Sequence, residues 1–130
     1  MKLGKVYFVG AGPGDPELIT VKGKKIIEQA DVIVYAGSLV NPLVLADRKP
    51  ASIVYNSAHM TLEEIILVME QAVKKGSVVA RVHTGDPSIF GAIREQIECL
   101  RERGIPFEVV PGVSSFLGAA EVMNLEYTVP

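Results

Sequence analysis

The stretch Val78-Val79-Ala80-Arg81-Val82, continued by His83-Thr84-Gly85-Asp86-Pro87-Ser88-Ile89-Phe90-Gly91, decides the fold. Its first five residues form the apolar run expected of a buried β-strand, and an amphipathic segment, 92–103, follows the second part. Between them lies a turn that combines a glycine, a carboxylate and a proline. Open α/β folds bind ligands at the carboxyl ends of their strands, so we interpret this turn as part of a site.

Five predicted strands alternate with four predicted helices along the chain. Apolar runs rich in β-branched residues predict strands at 5–9, 32–35, 52–55, 77–82 and 107–110. Apolar periodicity predicts helices at 20–30, 62–76, 92–103 and 115–123. This alternation predicts right-handed crossovers and an α/β fold with a mainly parallel five-stranded sheet flanked by helices. Two more glycine-bearing turns, 10–16 and 111–115, are expected at the same edge of the sheet.

The second predicted helix carries its own start and stop signals. Thr61-Leu62-Glu63-Glu64 matches a capping box, in which the Thr61 hydroxyl is expected to accept a hydrogen bond from the Glu64 amide and the Glu64 carboxylate one from the Thr61 amide. Lys74-Lys75-Gly76 places cations and then a glycine where the helix dipole and a left-handed cap favour them. The helix is therefore expected to begin at Leu62.

Composition excludes several functional classes. The chain has 130 residues, 48% of them hydrophobic, with a formal net charge of −2 and one cysteine. A slightly acidic chain without a Lys/Arg cluster does not suit nucleic acid or an anionic membrane as partner. A single cysteine, Cys99, excludes disulfides and cysteine-based metal sites. Glycines at 10, 12 and 14 cut the apolar run 6–9 short of a signal sequence or membrane span, so we expect a cytoplasmic protein.

The first glycine turn, residues 10–16, fits a dinucleotide-binding loop poorly. The third glycine of that fingerprint would fall at Asp15, and Pro13 interrupts the start of the phosphate-binding helix. The second strand ends at Tyr35-Ala36, without a carboxylate for a ribose hydroxyl. Gly23-Lys24 likewise lacks the glycine that a phosphate-binding loop needs upstream. A tight strand-to-helix connection is the alternative explanation of the glycines and prolines.

Four polar side chains allow a functional and a structural interpretation. His83 is either a general base or a residue that closes a strand, and His59 is a candidate with no second ligand nearby; we favour the structural interpretation of both. Asp86 before Pro87 is expected to cap the following helix, a role that is compatible with ligand binding. Arg81 is expected to pair with a carboxylate. None of these residues completes a nucleophilic triad or a metal cluster.

What remains is a predicted pocket of backbone, glycines and small hydroxyls, which suits a polar, nearly neutral cofactor. The motifs at 10–23, 85–87 and 109–115 occur in an order and spacing that resemble the tetrapyrrole methylases, which use S-adenosylmethionine. The resemblance covers all 130 residues. Within that family, 35–41 and 83–93 are most similar to the precorrin-4 and cobalt-precorrin-4 methyltransferases, which methylate ring carbon 11 in cobalamin synthesis.

The resemblance implies a cofactor, a substrate and a set of binding residues. The cofactor is S-adenosylmethionine, with S-adenosylhomocysteine as product, and the substrate is a tetrapyrrole of the cobalamin pathway. The implied cofactor contacts are Pro13, Thr84, Gly85, Asp86, Ile89, Ser114 and Ser115. Asp86 is expected to serve the cofactor's polar end through its side chain or its loop backbone. Related uroporphyrinogen-III methyltransferases have an aspartate where this chain has Ala36 and a lysine near 56–58, so no catalytic residue is assigned.

The family architecture implies a second α/β domain after the stretch that ends at Pro130, with cofactor and tetrapyrrole between the two domains. We therefore expect residues 1–130 to be the N-terminal domain, without the C-terminal one. We expect this domain to fold, to self-associate as a homo-oligomer such as a dimer, and to lack methyltransferase activity by itself. Its surplus of apolar residues matches a surface that the second domain would cover. The alternative is a non-catalytic nucleotide-binding or structural α/β domain.

Overall fold

A computed structural model describes residues 4–89 and 91–129; Phe90 of the opening stretch and Pro130 lie outside the described residues. The strands are β1 (Lys5–Gly10), β2 (Val32–Tyr35), β3 (Ile53–Asn56), β4 (Val78–His83) and β5 (Phe107–Val110). The helices are α1 (Val21–Gln29), α2 (Leu62–Lys74), α3 (Ile93–Glu102) and α4 (Ser115–Met123). The predicted strands and helices are confirmed, and their ends differ from the prediction by two residues at most.

The strands form one sheet with the spatial order β3-β2-β4-β1-β5, and every pairing is parallel. The predicted α/β fold with a parallel five-stranded sheet is therefore confirmed. β1 lies between β4 and β5, so the loops that follow these three strands are neighbours at the carboxyl edge. That adjacency places the opening stretch beside the two glycine turns at 10–16 and 111–115.

Helices cover both faces of the sheet, as the buried apolar strands require. α2 and α3 pack on one face, around the fully buried Phe8, Met69 and Leu100. α1 packs on the other face, around Val9 and Ile27. Since α1 follows β1 and α3 follows β4, the chain leaves these two adjacent strands toward opposite faces. This divergence is the topological switch point at which open α/β sheets form a ligand-binding crevice.

Apolar side chains on and after α4 are exposed. They are Phe116, Leu117, Val122, Met123, Leu125, Tyr127 and Val129. Their exposure agrees with the expected surplus of apolar surface, whereas the second domain that would cover it stays a prediction. Across the described ranges, no helix has both the length and the apolar character needed to cross a bilayer.

α2 begins and ends where its local signals predict. Thr61 Oγ1 accepts a hydrogen bond from the Glu64 amide at 3.1 Å, and Glu64 Oε1 accepts one from the Thr61 amide at 3.3 Å. At the other end, Gly76 has a φ of +82°, the left-handed conformation of a helix stop. Local hydrogen bonds thus set the ends of the helix that carries Met69 into the core.

Thr61→Ala is expected to lower the free energy of unfolding by about 1 kcal/mol, because it leaves a first-turn amide of α2 without its acceptor. Urea denaturation followed by circular dichroism measures the loss. Gln71→Ala, at an exposed position within α2, is the control and is expected to stay within about 0.5 kcal/mol of the parent chain. Equal losses in the two variants would contradict a stabilising role for the capping box.

Candidate functional site

The three glycine-bearing loops meet at the carboxyl edge of the sheet, as predicted from the sequence. Gly12 and Gly85 form a small bridge: the Gly85 amide donates to the Gly12 carbonyl at 2.8 Å, and the Gly12 amide donates to the Gly85 carbonyl at 3.2 Å. The Ala11 amide donates to the His83 carbonyl at 2.7 Å. Beyond the parallel pairing of β1 with β4, an antiparallel bridge therefore joins the first loop (residues 11–16) to the second loop (residues 84–89).

Close backbone contact explains why glycine occurs at the base of these loops. A Cβ added to Gly10 would lie 2.7 Å from Gly112 Cα and 2.6 Å from the Gly85 carbonyl oxygen. A Cβ added to Gly112 would lie only 2.3 Å from the same oxygen. These distances are too short for any side chain. We call Gly10, Gly85 and Gly112 the glycine junction.

Asp86 ties the second loop to the third loop (residues 111–114). Its Oδ1 accepts hydrogen bonds from the Ser88 amide, at 2.8 Å, and from the Ser88 hydroxyl. Its Oδ2 accepts a hydrogen bond from the Gly112 amide at 3.0 Å. Burial alone would raise the pKa of the Asp86 carboxyl, but these hydrogen bonds outweigh it and hold the pKa below its ordinary value. The carboxylate is therefore ionised at neutral pH and engaged by the protein itself.

The expectation that Asp86 caps the following helix is wrong. Its carboxylate closes the turn at 87–89, and α3 begins only at Ile93. The residue before α3 is Ala92, which has a left-handed φ of 52° and provides no side-chain cap. The local Asp-Pro pattern identified a turn correctly but assigned it to the wrong element.

The expectation that Arg81 pairs with a carboxylate is also wrong for the described residues. Arg81 Nε donates to Gln96 Oε1 at 3.1 Å, and Nη1 donates to the Val34 carbonyl at 3.3 Å. Both acceptors are neutral. Burial lowers the pKa of Arg81 to about 10, which still leaves the guanidinium protonated at neutral pH. β4 thus carries a buried positive charge three residues before the second loop begins at Thr84.

His83 closes β4 as a buried, neutral imidazole. Its ring stacks on Phe8 with the centroids 6.3 Å apart, and Nε2 has no hydrogen-bond partner among the described residues. Burial, with a smaller effect of the nearby Arg81 charge, lowers the pKa of His83 to about 3. A base of this strength that is shielded from solvent does not suit general-base catalysis near neutral pH. The structure therefore favours the structural interpretation of this histidine.

Of the seven candidate cofactor residues, Gly85 belongs to the glycine junction, and Pro13, Asp86, Ser114 and Ser115 lie on the loops and the helix start that meet there. A Cβ at Gly85 would lie 3.4 Å from both the amide nitrogen and the hydroxyl of Ser115, so the second loop adjoins the start of α4. The Ser114 carbonyl accepts the first α4 hydrogen bonds, and its hydroxyl makes no capping bond. Thr84 and Ile89 lie on the second loop, where Ile89 is 42% exposed.

A groove of about 460 Å³ lies between the first loop and α4, next to the glycine junction. It is lined by Pro13, Asp15, Leu18, Ser115, Gly118, Ala119, Glu121, Val122 and Met123. Pro13 and Ser115 are the two candidate cofactor residues in its wall. Its volume falls in the range of small-molecule sites, about 300–1,000 Å³. The mainly apolar floor with two carboxylates suits a ligand that combines an apolar part with positive charge.

Sequence reasoning missed a residue that holds the first loop from outside. Asn41 Nδ2 donates to the Gly14 carbonyl at 2.8 Å, while Asn41 Oδ1 accepts a hydrogen bond from the Leu43 amide at 3.0 Å. The Asn41-Pro42 pair signals a turn in the sequence. The reach of its side chain across 27 positions to Gly14 leaves no local signal.

Three known proteins show what the chain is similar to. The family model for Tetrapyrrole (Corrin/Porphyrin) Methylases matches residues 5–130. A cobalt-precorrin-4 C(11)-methyltransferase of Methanocaldococcus jannaschii is 60% identical over 126 residues, which cover 97% of this chain and 49% of the relative. The X-ray structure of the cobalt precorrin-4 methyltransferase CbiF has a TM-score of 0.94 at 49% identity, covering 97% of this chain and 53% of that one.

The third similar protein is the uroporphyrin-III C-methyltransferase of Thermus thermophilus, in a crystal structure complexed with S-adenosylhomocysteine. Its TM-score is 0.77 at 40% identity, and the match covers 90% of this chain and 48% of that one. The chain spans about half the length of the curated relatives it matches.

Gly112→Ala is expected to lower the free energy of unfolding by about 2 kcal/mol or more, because its Cβ would have to displace the Gly85 carbonyl. Gly104→Ala is the control, since Gly104 has a positive φ of 66° but open space around it. It is expected to cost about 1 kcal/mol through backbone strain alone. Urea denaturation measures both, and an equal or smaller loss at Gly112 would show that the junction tolerates a side chain.

The buried imidazole of His83 is expected to make stability depend on pH. Its pKa is about 3 in the folded chain and near the ordinary 6.5 when unfolded, so the unfolded state binds the proton first as pH falls. The free energy of unfolding should therefore decrease from about pH 6.5 downward, by at most about 1.4 kcal/mol per pH unit. Urea denaturation at several pH values below about 6.5 should show that the free energy of unfolding depends less on pH in His83→Gln than in the parent chain. Parallel slopes for the parent and His83→Gln would refute the assignment.

Proposed function

The chain belongs to the tetrapyrrole (corrin/porphyrin) methylases, and on that premise we propose that it forms the S-adenosylmethionine-binding part of a precorrin-4 or cobalt-precorrin-4 C(11)-methyltransferase. The observation that carries the proposal is the convergence of the three motif-bearing loops at the switch point of the sheet. There the glycine junction and the Asp86 carboxylate hold them together. The two cobalt-precorrin-4 methyltransferases among the relatives support the choice of substrate, and the name of the Methanocaldococcus jannaschii enzyme supports ring carbon 11.

The groups around the junction fit this cofactor. The hydroxyls of Thr84 and Ser115 and the backbone of the second loop offer hydrogen bonds to its polar parts. The first amides of α4 suit the carboxylate of its methionine portion, and the carboxylates of Asp15 and Glu121 in the groove suit its positive charge. Since the Asp86 carboxylate is engaged by Ser88 and Gly112, we assign the contribution of Asp86 to the loop backbone rather than to its side chain.

S-adenosylmethionine, when bound, supplies a methyl group that is already electrophilic. The contribution of this chain is therefore alignment rather than acid or base chemistry. Three inter-loop hydrogen bonds, donated by the amides of Gly12, Gly85 and Gly112, keep the loops in fixed relative positions. Loop carbonyls can also hold a polarised methyl group by weak C–H···O contacts. No residue of the chain is assigned as acid or base.

Because the chain corresponds to about half of each relative, we assign methyl transfer to a two-part site. The chain supplies one wall through its three loops. The exposed apolar side chains of α4, such as Phe116 and Val122, offer a surface for the other part. By itself the chain is expected to bind cofactor without methylating a tetrapyrrole, and turnover of a cobalt-precorrin by the isolated chain would contradict this.

Isothermal titration calorimetry is expected to show that the chain binds S-adenosylhomocysteine and not ATP or NAD. Thr84→Val removes one hydroxyl at nearly constant volume and is expected to weaken binding about fivefold to tenfold, the effect of one hydrogen bond. Thr128→Val, at an exposed position after α4, is the matched control. Binding of ATP or NAD without S-adenosylhomocysteine would favour a nucleotide-binding module, and no binding at all would favour a structural domain.

A further inference from the structure

A buried polar connection joins the centre of the sheet to Ala92, which lies between the second loop (residues 84–89) and α3. Arg81 on β4 and Gln96 on α3 are 4% and 5% exposed. Arg81 donates to the Val34 carbonyl on β2 at 3.3 Å and to Gln96 Oε1 at 3.1 Å. Gln96 Nε2 in turn donates to the Ala92 carbonyl at 3.4 Å. Two side chains therefore link two strands to the residue at which the chain enters α3.

Ala92 has a strained backbone conformation, which persists only where neighbouring groups stabilise it. Its φ of 52° is left-handed, a conformation that residues with a Cβ adopt rarely because of steric contact with the following carbonyl. No side chain caps α3 at this position. The chain just before it is tightly folded, since a Cβ at Gly91 would lie 2.1 Å from the Pro87 carbonyl oxygen. The contact from Gln96 is thus directed at a strained point between the second loop and its helix.

The chemistry of the pair also argues for a specific role. A guanidinium removed from water is costly unless its donors are satisfied, and here the acceptors are a backbone carbonyl and a carboxamide. The carboxamide is the group that can accept from Arg81 and donate to Ala92 at the same time. An apolar pair would fill the same space without reaching the loop. The polar pair therefore adds a link that packing alone does not provide.

We propose that Arg81 and Gln96 are positioning residues, which hold the second loop (residues 84–89) in its binding conformation through the Ala92 carbonyl. The ligand that this loop binds rests on the function proposed above. The order of the loop itself can be measured without any ligand. The claim that Arg81 and Gln96 order the loop can therefore fail separately from the claim that the loop binds S-adenosylmethionine.

Gln96→Glu tests the hydrogen bond to Ala92 separately from the hydrogen bond to Arg81. Glutamate keeps an acceptor for Arg81 and nearly the same volume, but at neutral pH it has no hydrogen to donate to the Ala92 carbonyl. Hydrogen exchange followed by NMR on the ligand-free chain is expected to be about tenfold faster, or more, at the hydrogen-bonded amides of Gly85, Ser88 and Ile89. Core amides of α2 should exchange at the parent rate. Gln71→Glu, the same substitution at an exposed position, should change neither.

Loop exchange that stays at the parent rate in Gln96→Glu would overturn the proposal, and so would uniform acceleration along the whole chain, which marks an ordinary core residue. If this variant does not fold, Gln96→Met replaces it, and failure of both to fold would also overturn the proposal.

A titration with S-adenosylhomocysteine completes the test. If the parent chain binds it, Gln96→Glu is expected to bind about tenfold more weakly, a difference of about 1.4 kcal/mol, and equal affinity would refute the positioning role. If the parent chain does not bind it, the proposed function fails, while the exchange result still decides whether the pair orders the loop.

Discussion

At the carboxyl edge of the sheet, the Gly85 carbonyl lies so close to Gly10 and Gly112 that no side chain fits between them. This close approach requires glycine at the ends of the adjacent strands, and the paired hydrogen bonds between Gly12 and Gly85 hold the first two loops together. The Asp86 carboxylate reinforces it by accepting a hydrogen bond from the Gly112 amide. The candidate site is therefore a property of backbone packing rather than of a cluster of charged side chains.

The rest of the fold serves to keep this contact in place. The strand order puts β4, β1 and β5 side by side, and the helices after β1 and β4 leave toward opposite faces. Outside the loops, Asn41 holds the tip of the first loop, and Arg81 with Gln96 holds the exit of the second. A site with few ionisable groups agrees with the proposed function, in which the main requirement is alignment of a methyl donor that is already reactive by itself.

Features with local causes could be predicted from the sequence. Continuous apolar runs identified the strands, and the capping box at Thr61 identified the start of α2, because each depends on neighbouring residues. The meeting of the three loops followed from parallel topology. The bond from Gly112 to Asp86 and the bond from Arg81 to Gln96 could not be predicted, because these partners lie 26 and 15 positions apart and leave no local signal. The seven residues assigned to the cofactor stay predictions.

An NMR titration of the isotope-labelled chain with S-adenosylhomocysteine tests most directly whether the three loops form one binding surface. We expect the largest amide shifts at Gly12, Gly85 and Ser115 and their neighbours, all following one dissociation constant, while β3 and α2 stay unchanged. Shifts confined to a single loop, or centred on β3 or α2, would contradict a shared surface built on the glycine junction.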